Sequence, residues 1–435
     1  VTDVSGNPVP NVSVTFQVTA GGGTVTGGSP STDALGQATV GGWTFGRTVT
    51  TNTVTATVGA LPLVTFDATV TVQLVSIAAG NDHSCALTVD GIPYCWGNNV
   101  GGGLGDSTTT PRNAPVPVAG SPVFTRVATG SGFSCALDPV GVAYCWGNNS
   151  FGELGVGNNT PRSAPTAVST GQTFGSISAQ SIAGSNHTCG IASGGALFCW
   201  GDNSTGQYGR GNTTTANTPQ AAGGASTQYL AVAAGDKFTC GVRTSAAAFC
   251  WGLNGSGQLG DSTTTQRLSP VAVKGGLSFS QVATSQIHSC GLTTGGLVYC
   301  WGDNTQGRLG QDPGSVTASL TPSQVPGLTG VVRLVAGGGH TCALTGANQV
   351  FCWGLNDFGQ LGDGTGGSAG DFRFAPGLVS LPSGVSGFTA VATGASFSCA
   401  VANTGAAYCW GEGSGGQLGD GNGTDSALPV LVANP

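Results

Sequence analysis

Short apolar runs separated by glycine-rich turns make up most of the chain, and no stretch sustains a helical period. The most regular pattern lies between Gly80 and Gly105. His83-Ser84-Cys85-Ala86-Leu87 and Tyr94-Cys95-Trp96-Gly97 flank a turn at Val89-Asp90-Gly91, and Leu104-Gly105 closes the unit. The unit returns six more times, so its cysteines fall into pairs. These are Cys85 with Cys95, Cys135 with Cys145, Cys189 with Cys199, Cys240 with Cys250, Cys290 with Cys300, Cys342 with Cys352 and Cys399 with Cys409. Members of each pair stand ten residues apart, and Trp-Gly follows the second every time.

Folding the first segment about its midpoint opposes Ala86 with Tyr94, Leu87 with Pro93 and Thr88 with Ile92. Val89-Asp90-Gly91 is left as a three-residue connection, with glycine where a positive φ is wanted. The two cysteines then face one another at a separation that a disulfide tolerates. A bridge over a loop this short is worth roughly 2–3 kcal/mol through the unfolded chain. A zinc site would need a second Cys-x-x-Cys or histidine partners at matching spacing, which the pairs lack. Fourteen cysteines used this way predict an oxidising compartment: secreted or extracellular, cell-surface or periplasmic.

Before each pair runs a short apolar strand, such as Arg126-Val127-Ala128-Thr129 or Ala390-Val391-Ala392-Thr393. Gly80, Gly130, Gly184, Gly235, Gly337 and Gly394 end it, with Ser285 as the exception. The units resemble the repeat of the regulator of chromosome condensation family, Gly-x-x-His-Ser-x-Ala-Leu … Trp-Gly-x-Asn … Gly-x-Leu-Gly, and cover residues 74–435. That resemblance implies a seven-bladed β-propeller. Ala427–Val432 matches Ala114–Val118, so the last strand is present and the ring is expected to close. Length variation collects after Leu-Gly, which directs the search for function to loops at 156–180, 311–332 and 363–389.

Residues 1–73 have no cysteine and a different grammar. Val12–Val18 alternates with period two, and further strands are expected at Ala38–Phe45, Thr53–Val58 and Val64–Val72. Asp3-Val4-Ser5-Gly6-Asn7-Pro8-Val9-Pro10, Gly21-Gly22-Gly23-Thr24-Val25 and Thr32-Asp33-Ala34-Leu35-Gly36-Gln37-Ala38 resemble the bacterial immunoglobulin-like domain of invasin and intimin. The resemblance implies a β-sandwich lacking its opening strand, whose open edge a neighbouring molecule could pair by β-augmentation. The predicted fold is therefore all-β: an immunoglobulin-like sandwich, then a propeller with one disulfide per blade. A start without methionine, in mid-pattern, reads as a piece of something longer.

Only 7% of residues are charged, the net charge is −7, and Lys237 and Lys274 are the only lysines. Such a surface argues against nucleic-acid binding, which rests on clustered Lys and Arg. No apolar run is long enough to span a membrane as a helix.

Candidate chemistry is thin. His83, His187, His288 and His340 share one position in the repeat, but Phe133, Phe238 and Phe397 occupy it elsewhere, which favours packing over a metal ring. The tryptophans read as packing between blades rather than as a sugar-stacking array. Gly366-Gly367-Ser368-Ala369-Gly370 fits a nucleophile-elbow string without the strand–helix context that the chemistry requires. Asp420, Asn422 and Asp425 alternate as calcium ligands do, but no bidentate glutamate follows. Sequons stand at Asn11, Asn148, Asn158, Asn186, Asn203, Asn212, Asn254 and Asn422, of which Asn148, Asn158, Asn212 and Asn422 are the glycosylation candidates. No cofactor is expected. The leading expectation is a non-enzymatic bacterial surface protein, an adhesin or fibre subunit, with a protein, glycan or second copy as partner. The alternatives are a secreted inhibitor acting through loops on one face and, last, a polysaccharide-acting enzyme.

Overall fold

The computed structural model describes residues 1–44, 51–69, 72–120, 123–179, 186–224 and 227–434. The chain divides into two compact units, Val1–Val72 and Gln73–Ala433.

In the second unit the described residues form seven four-stranded antiparallel sheets, each built in chain order from inside to outside. The first comprises Leu74–Ala79, His83–Thr88, Pro93–Gly97 and Arg112–Pro117; the last ends on Ser426–Leu431. Each blade is one contiguous stretch of chain. The central hairpin has the register expected from its sequence, with Cys85 opposite Cys95, Ala86 opposite Tyr94 and Leu87 opposite Pro93. Thr88 N–H donates to the Ile92 carbonyl, and Gly91 takes a φ of 79°.

Every cysteine is bonded within its own blade, in the pairing expected from the ten-residue spacing. Cys85 is joined to Cys95, Cys135 to Cys145, Cys189 to Cys199 and Cys240 to Cys250. Cys290 is joined to Cys300, Cys342 to Cys352 and Cys399 to Cys409. The Cα separations run from 4.0 to 4.2 Å, the close approach of directly opposed residues that are not hydrogen-bonded to each other.

The core lies between blades. Cys85, Leu87, Cys95, Leu104 and Val118 of the first blade pack on Phe124, Ala136 and Trp146 of the second. The same grouping sets Cys135 and Cys145 against Trp200, Cys189 and Cys199 against Trp251, and Cys240 and Cys250 against Trp301. It continues with Cys290 and Cys300 against Trp353, and Cys342 and Cys352 against Trp410. Seven tryptophans of the repeats are fully buried, which at ~25 cal/mol per Å2 of apolar surface makes them the largest single contributors to each seam. Two glycines explain how blades approach this closely. A Cβ at Gly80 would lie 2.3 Å from the Gly130 carbonyl oxygen of the next blade. One at Gly105, already at φ +70°, would lie 2.6 Å from the Trp146 indole nitrogen. Gly184, the third member of the inner-glycine series, lies outside the described residues.

The ring closes by contacts of the same kind. Trp96 Nε1 and Ser84 Oγ donate to the Gln417 carbonyl at 2.9 and 3.2 Å, Leu74 N–H to Gly405 O at 2.9 Å, and Gly421 N–H to Asn113 O at 2.8 Å. Among the described residues no strand of one blade is supplied by another.

The segments expected as long loops need correction. Residues 156–180, 311–332 and 363–389 each contain the outer strand of a blade, at Arg162–Ala167, Ala318–Gln324 and Phe372–Leu378, and lead into the next inner strand. These outer strands are half-exposed and interrupted by proline, so they lack a clean period-two signal.

In the first unit Thr15–Ala20, Thr51–Thr57 and Val64–Thr69 form a three-stranded antiparallel sheet with Thr51–Thr57 in the centre, and Thr24–Thr26 pairs with Gly42–Thr44. The expected strands at Ala38–Phe45 and Val64–Val72 run into Phe45 and residues 70–71, which lie outside the described residues. Two aspartate turns organise the first half. Asp3 Oδ1 accepts from Ser5 and Asn7 N–H, and Asp33 Oδ1 from Leu35 and Gln37 N–H.

Replacing Cys85 and Cys95 together by serine should lower the unfolding free energy by roughly 2–3 kcal/mol. Chemical denaturation with all other bridges intact measures this, and an unchanged midpoint would show that the staple contributes nothing.

Candidate functional site

The residue before the first cysteine of every blade is a buried Ser or Thr: Ser84, Ser134, Thr188, Thr239, Ser289, Thr341 and Ser398. Six of these hydroxyls donate across the seam to the carbonyl just before the preceding blade's Leu-Gly or Tyr-Gly step. Ser134 reaches Gly103 O at 2.8 Å, Thr188 Glu153 O at 2.9 Å, Thr239 Gln207 O at 2.8 Å, Ser289 Gln258 O at 2.8 Å and Ser398 Gln360 O at 3.0 Å; Ser84 makes the closing bond above. Five of those carbonyls also take an indole N–H: Trp146 on Gly103, Trp251 on Gln207, Trp301 on Gln258, Trp410 on Gln360 and Trp96 on Gln417, all at 2.7–2.9 Å. Trp353 reaches Arg308 O in the same way. Sequence reasoning misses this latch, although a hydroxyl residue just before the first cysteine of all seven repeats is the available signal.

The four histidines belong to the same seams. Their Nε2 atoms lie 2.8 Å from Ser134, Thr239, Thr341 and Ser398 oxygens respectively. A hydroxyl has one proton, and Ser134, Thr239 and Ser398 give theirs to a carbonyl, so His83, His187 and His340 donate from Nε2. At His288 the hydroxyl of Ser285 sits 2.7 Å from Nδ1, which gives the one non-glycine in the inner position a partner of its own. Burial pushes His288 and His340 down to about 3. Each imidazole is confined to its own seam and none lines the channel.

Glu153 stands where four other blades have Gln207, Gln258, Gln360 and Gln417. Like those amides it accepts a backbone N–H two residues before it, from Phe151 at 2.8 Å. Burial raises its pKa; the Asn186 amide, at 3.0 Å from Oε1, and the Phe151 N–H oppose that, while Asp202 adds to it. Asp106, Asp261 and Asp363 feel burial too. Hydrogen bonds from Thr108, Thr263 and Thr365 and pairing with Arg112, Arg267 and Arg373 outweigh it and hold all three below the ordinary carboxylate range.

Asp420 is bonded to Asn422 through both its carboxylate oxygens, whereas Asp425 Oδ1 accepts from Gly413 N–H at 2.8 Å. Among the described residues no group of three or more His, Cys, Asp or Glu is placed to hold a metal ion, and no helix is long and apolar enough to cross a membrane. Asn158, Asn212 and Asn422 are exposed and Asn148 is half-buried. Asn203 and Asn254 are fully buried, with Nδ2 donating to loop carbonyls at Thr214 and Thr265.

The inner strands surround an axial channel of about 200 Å3 walled by small apolar residues such as Ala79, Ala128, Ala179 and Ala283. At one end it meets a cavity of about 650 Å3 that presents Arg126, Arg333, Leu230 and Val332.

Known proteins share this architecture. The RCC1-like domain model matches residues 179–435, and models of the regulator of chromosome condensation (RCC1) repeat match 74–102 with 124–153, and 90–137 with 141–191. The chain belongs to the RCC1-like domain family. It is similar to the X-linked retinitis pigmentosa GTPase regulator of Canis lupus familiaris, at 38% identity over 58% of this chain and 25% of that protein. It is also similar to the Ultraviolet-B receptor UVR8 of Arabidopsis thaliana, at 29% over 83% and 70%. The chain spans a quarter or less of the length of several curated relatives, including the human E3 ubiquitin-protein ligase HERC2 at 5%. Among solved structures, that of Kap60 bound to yeast RCC1 (Prp20) superposes with a TM-score of 0.70 at 23% identity, covering 80% of this chain and 85% of that one. This likeness establishes the propeller fold.

Two variants test the seam chemistry. Between pH 6.5 and about 3 the unfolded chain protonates His288 and His340 while the folded chain does not, so stability falls by up to ~1.4 kcal/mol per pH unit for each as the pH drops. The His288→Phe, His340→Phe double variant should flatten that acid limb in urea titrations at pH 7 and 4.5; an unchanged slope would refute the assignment. Glu153→Gln removes a buried charge, so it should stabilise by roughly 1 kcal/mol at pH 7. The gain should vanish where the carboxyl is already protonated, and an equal gain at pH 4 would exclude charge as its source.

Proposed function

We propose that this chain is a non-enzymatic binding protein of an oxidising, extracellular or cell-surface setting, made of a bacterial immunoglobulin-like module and a seven-bladed propeller. One observation carries the reading: all fourteen cysteines are closed into buried disulfides, one per blade, with no free thiol. Reducing compartments do not maintain such a set. A binding role fits the family, whose relatives include a GTPase regulator and a receptor by name, and a yeast member whose structure holds it against Kap60. The partner is a protein or glycan surface, or a further copy of the chain.

Fibre formation through the first unit has its own support. Val64–Thr69 is an edge strand, and its Val64 and Phe66 are 55% and 48% exposed. Such an edge is a template for strand addition. Electron microscopy of native material, with peptide mapping after alkylation, tests both parts. Regular fibres and seven intra-blade bridges are expected. Free thiols would sink the compartment, and monodisperse single particles would sink the fibre.

A further inference from the structure

We propose that the cavity at the mouth of the axial channel binds a carboxylate carrying an apolar substituent, gripped by Arg126 and Arg333. The inference goes beyond the binding role proposed above and depends neither on the compartment nor on fibres.

Arg126 opens the inner strand Arg126–Thr129 and Arg333 lies near the start of Val331–Ala336, so blades far apart in sequence bring two guanidinium groups to one cavity. Elsewhere the described arginines are locally engaged. Arg112, Arg267, Arg308 and Arg373 pair with aspartates, Arg162 bonds loop carbonyls, Arg210 bonds Gln220, and Arg243 lies over the Phe249 ring. Beyond their backbone places opposite Leu137 and Leu344, neither the Arg126 nor the Arg333 side chain has a hydrogen bond or ion pair with another described residue. Among the described residues no carboxylate lines the cavity. Arg126 and Arg333 are both exposed to solvent; desolvation by the surrounding cavity and, after that, the charge of Arg126 disfavour the protonated form of Arg333, and a bound anion would relieve this.

Of the other polar side chains at the mouth, only the Ser176 hydroxyl is left without a partner among the described residues. Gln281 donates to Leu334 O at 2.7 Å and accepts from Leu334 N–H at 3.1 Å, tying two inner strands together. Tyr229 OH donates to Gly223 O at 2.7 Å, and Ser193 Oγ lies 3.0 Å from Thr173 Oγ1. What remains for a ligand is a pair of cations, the Ser176 hydroxyl and an apolar wall, with Leu230 and Val332 60% and 59% exposed. A guanidinium pairs bidentately with a planar carboxylate, and hydrocarbon beside that carboxylate would cover the wall. The volume falls within the usual range for small-ligand sites. Two sources supply this chemistry: a small apolar acid, or the terminal carboxylate of a partner polypeptide.

The test uses the full chain and three probes in calorimetric titrations: hexanoate, N-acetyl-leucine and inorganic phosphate, with hexanamide and N-acetyl-leucinamide as neutral controls. Either carboxylate should bind, weaken with added salt and lose about tenfold or more in Arg126→Gln and in Arg333→Gln, while the amides do not bind. Circular dichroism should show both variants folded, since neither arginine contributes to a seam. Tighter binding of N-acetyl-leucine points to a polypeptide terminus and tighter binding of hexanoate to a small acid; both support the proposal. It is overturned if neither carboxylate binds at roughly 10 mM. Equal affinity in the double variant, or phosphate binding as tightly as the carboxylates, would overturn it too.

Discussion

The second unit depends on one backbone oxygen per seam. The carbonyl before each Leu-Gly or Tyr-Gly step would be buried without a partner if the next blade did not supply one, a loss of about 1–3 kcal/mol. In the fully equipped seams it takes both the indole N–H and the hydroxyl of the following blade, as Gly103 does from Trp146 and Ser134. The tryptophan therefore joins two roles: its ring fills the space beside the neighbouring disulfide, and its nitrogen sets how far the blade sits along the seam. A phenylalanine there would keep the first and lose the second.

What can be read from the sequence follows distance along the chain. The hairpin register, the cysteine pairing and the turn at Gly91 involve residues within ten of one another, and strand geometry settles them. The buried, packed position of the histidines is legible from their exchange with phenylalanine. Their hydrogen bonds to Ser134, Thr239, Thr341 and Ser398 are not, because each crosses to another repeat. The cavity is hidden for the same reason: Arg126 and Arg333 stand in the second and sixth repeats, and only curvature of the ring brings them together. The outer strands read as loops because half-exposed, proline-interrupted segments such as Arg162–Ala167 carry little pattern.

Scarcity of charge shapes the surface as well. Asp106 with Arg112 and Asp261 with Arg267 neutralise one another within a single loop, and Asn99 and Asn254 organise those loops by accepting one N–H and donating to several carbonyls. Amide geometry thus holds what a more charged protein would hold with ion pairs, and the loop architecture should be nearly indifferent to ionic strength.

Because every blade is contiguous and every sulfur bridge short-circuits its own hairpin, the second unit has an unusual relation to mechanical tension. A pull between Leu74 and Leu431 would load the seam joined by Trp96 and Gln417, which connects the first and last blades. Once blades did unravel, the path would run through sulfur at Cys85–Cys95 and its counterparts, so those hairpin loops could never add to the extension. Under load the ring would behave as a string of stapled beads whose contour length is capped by covalent bonds.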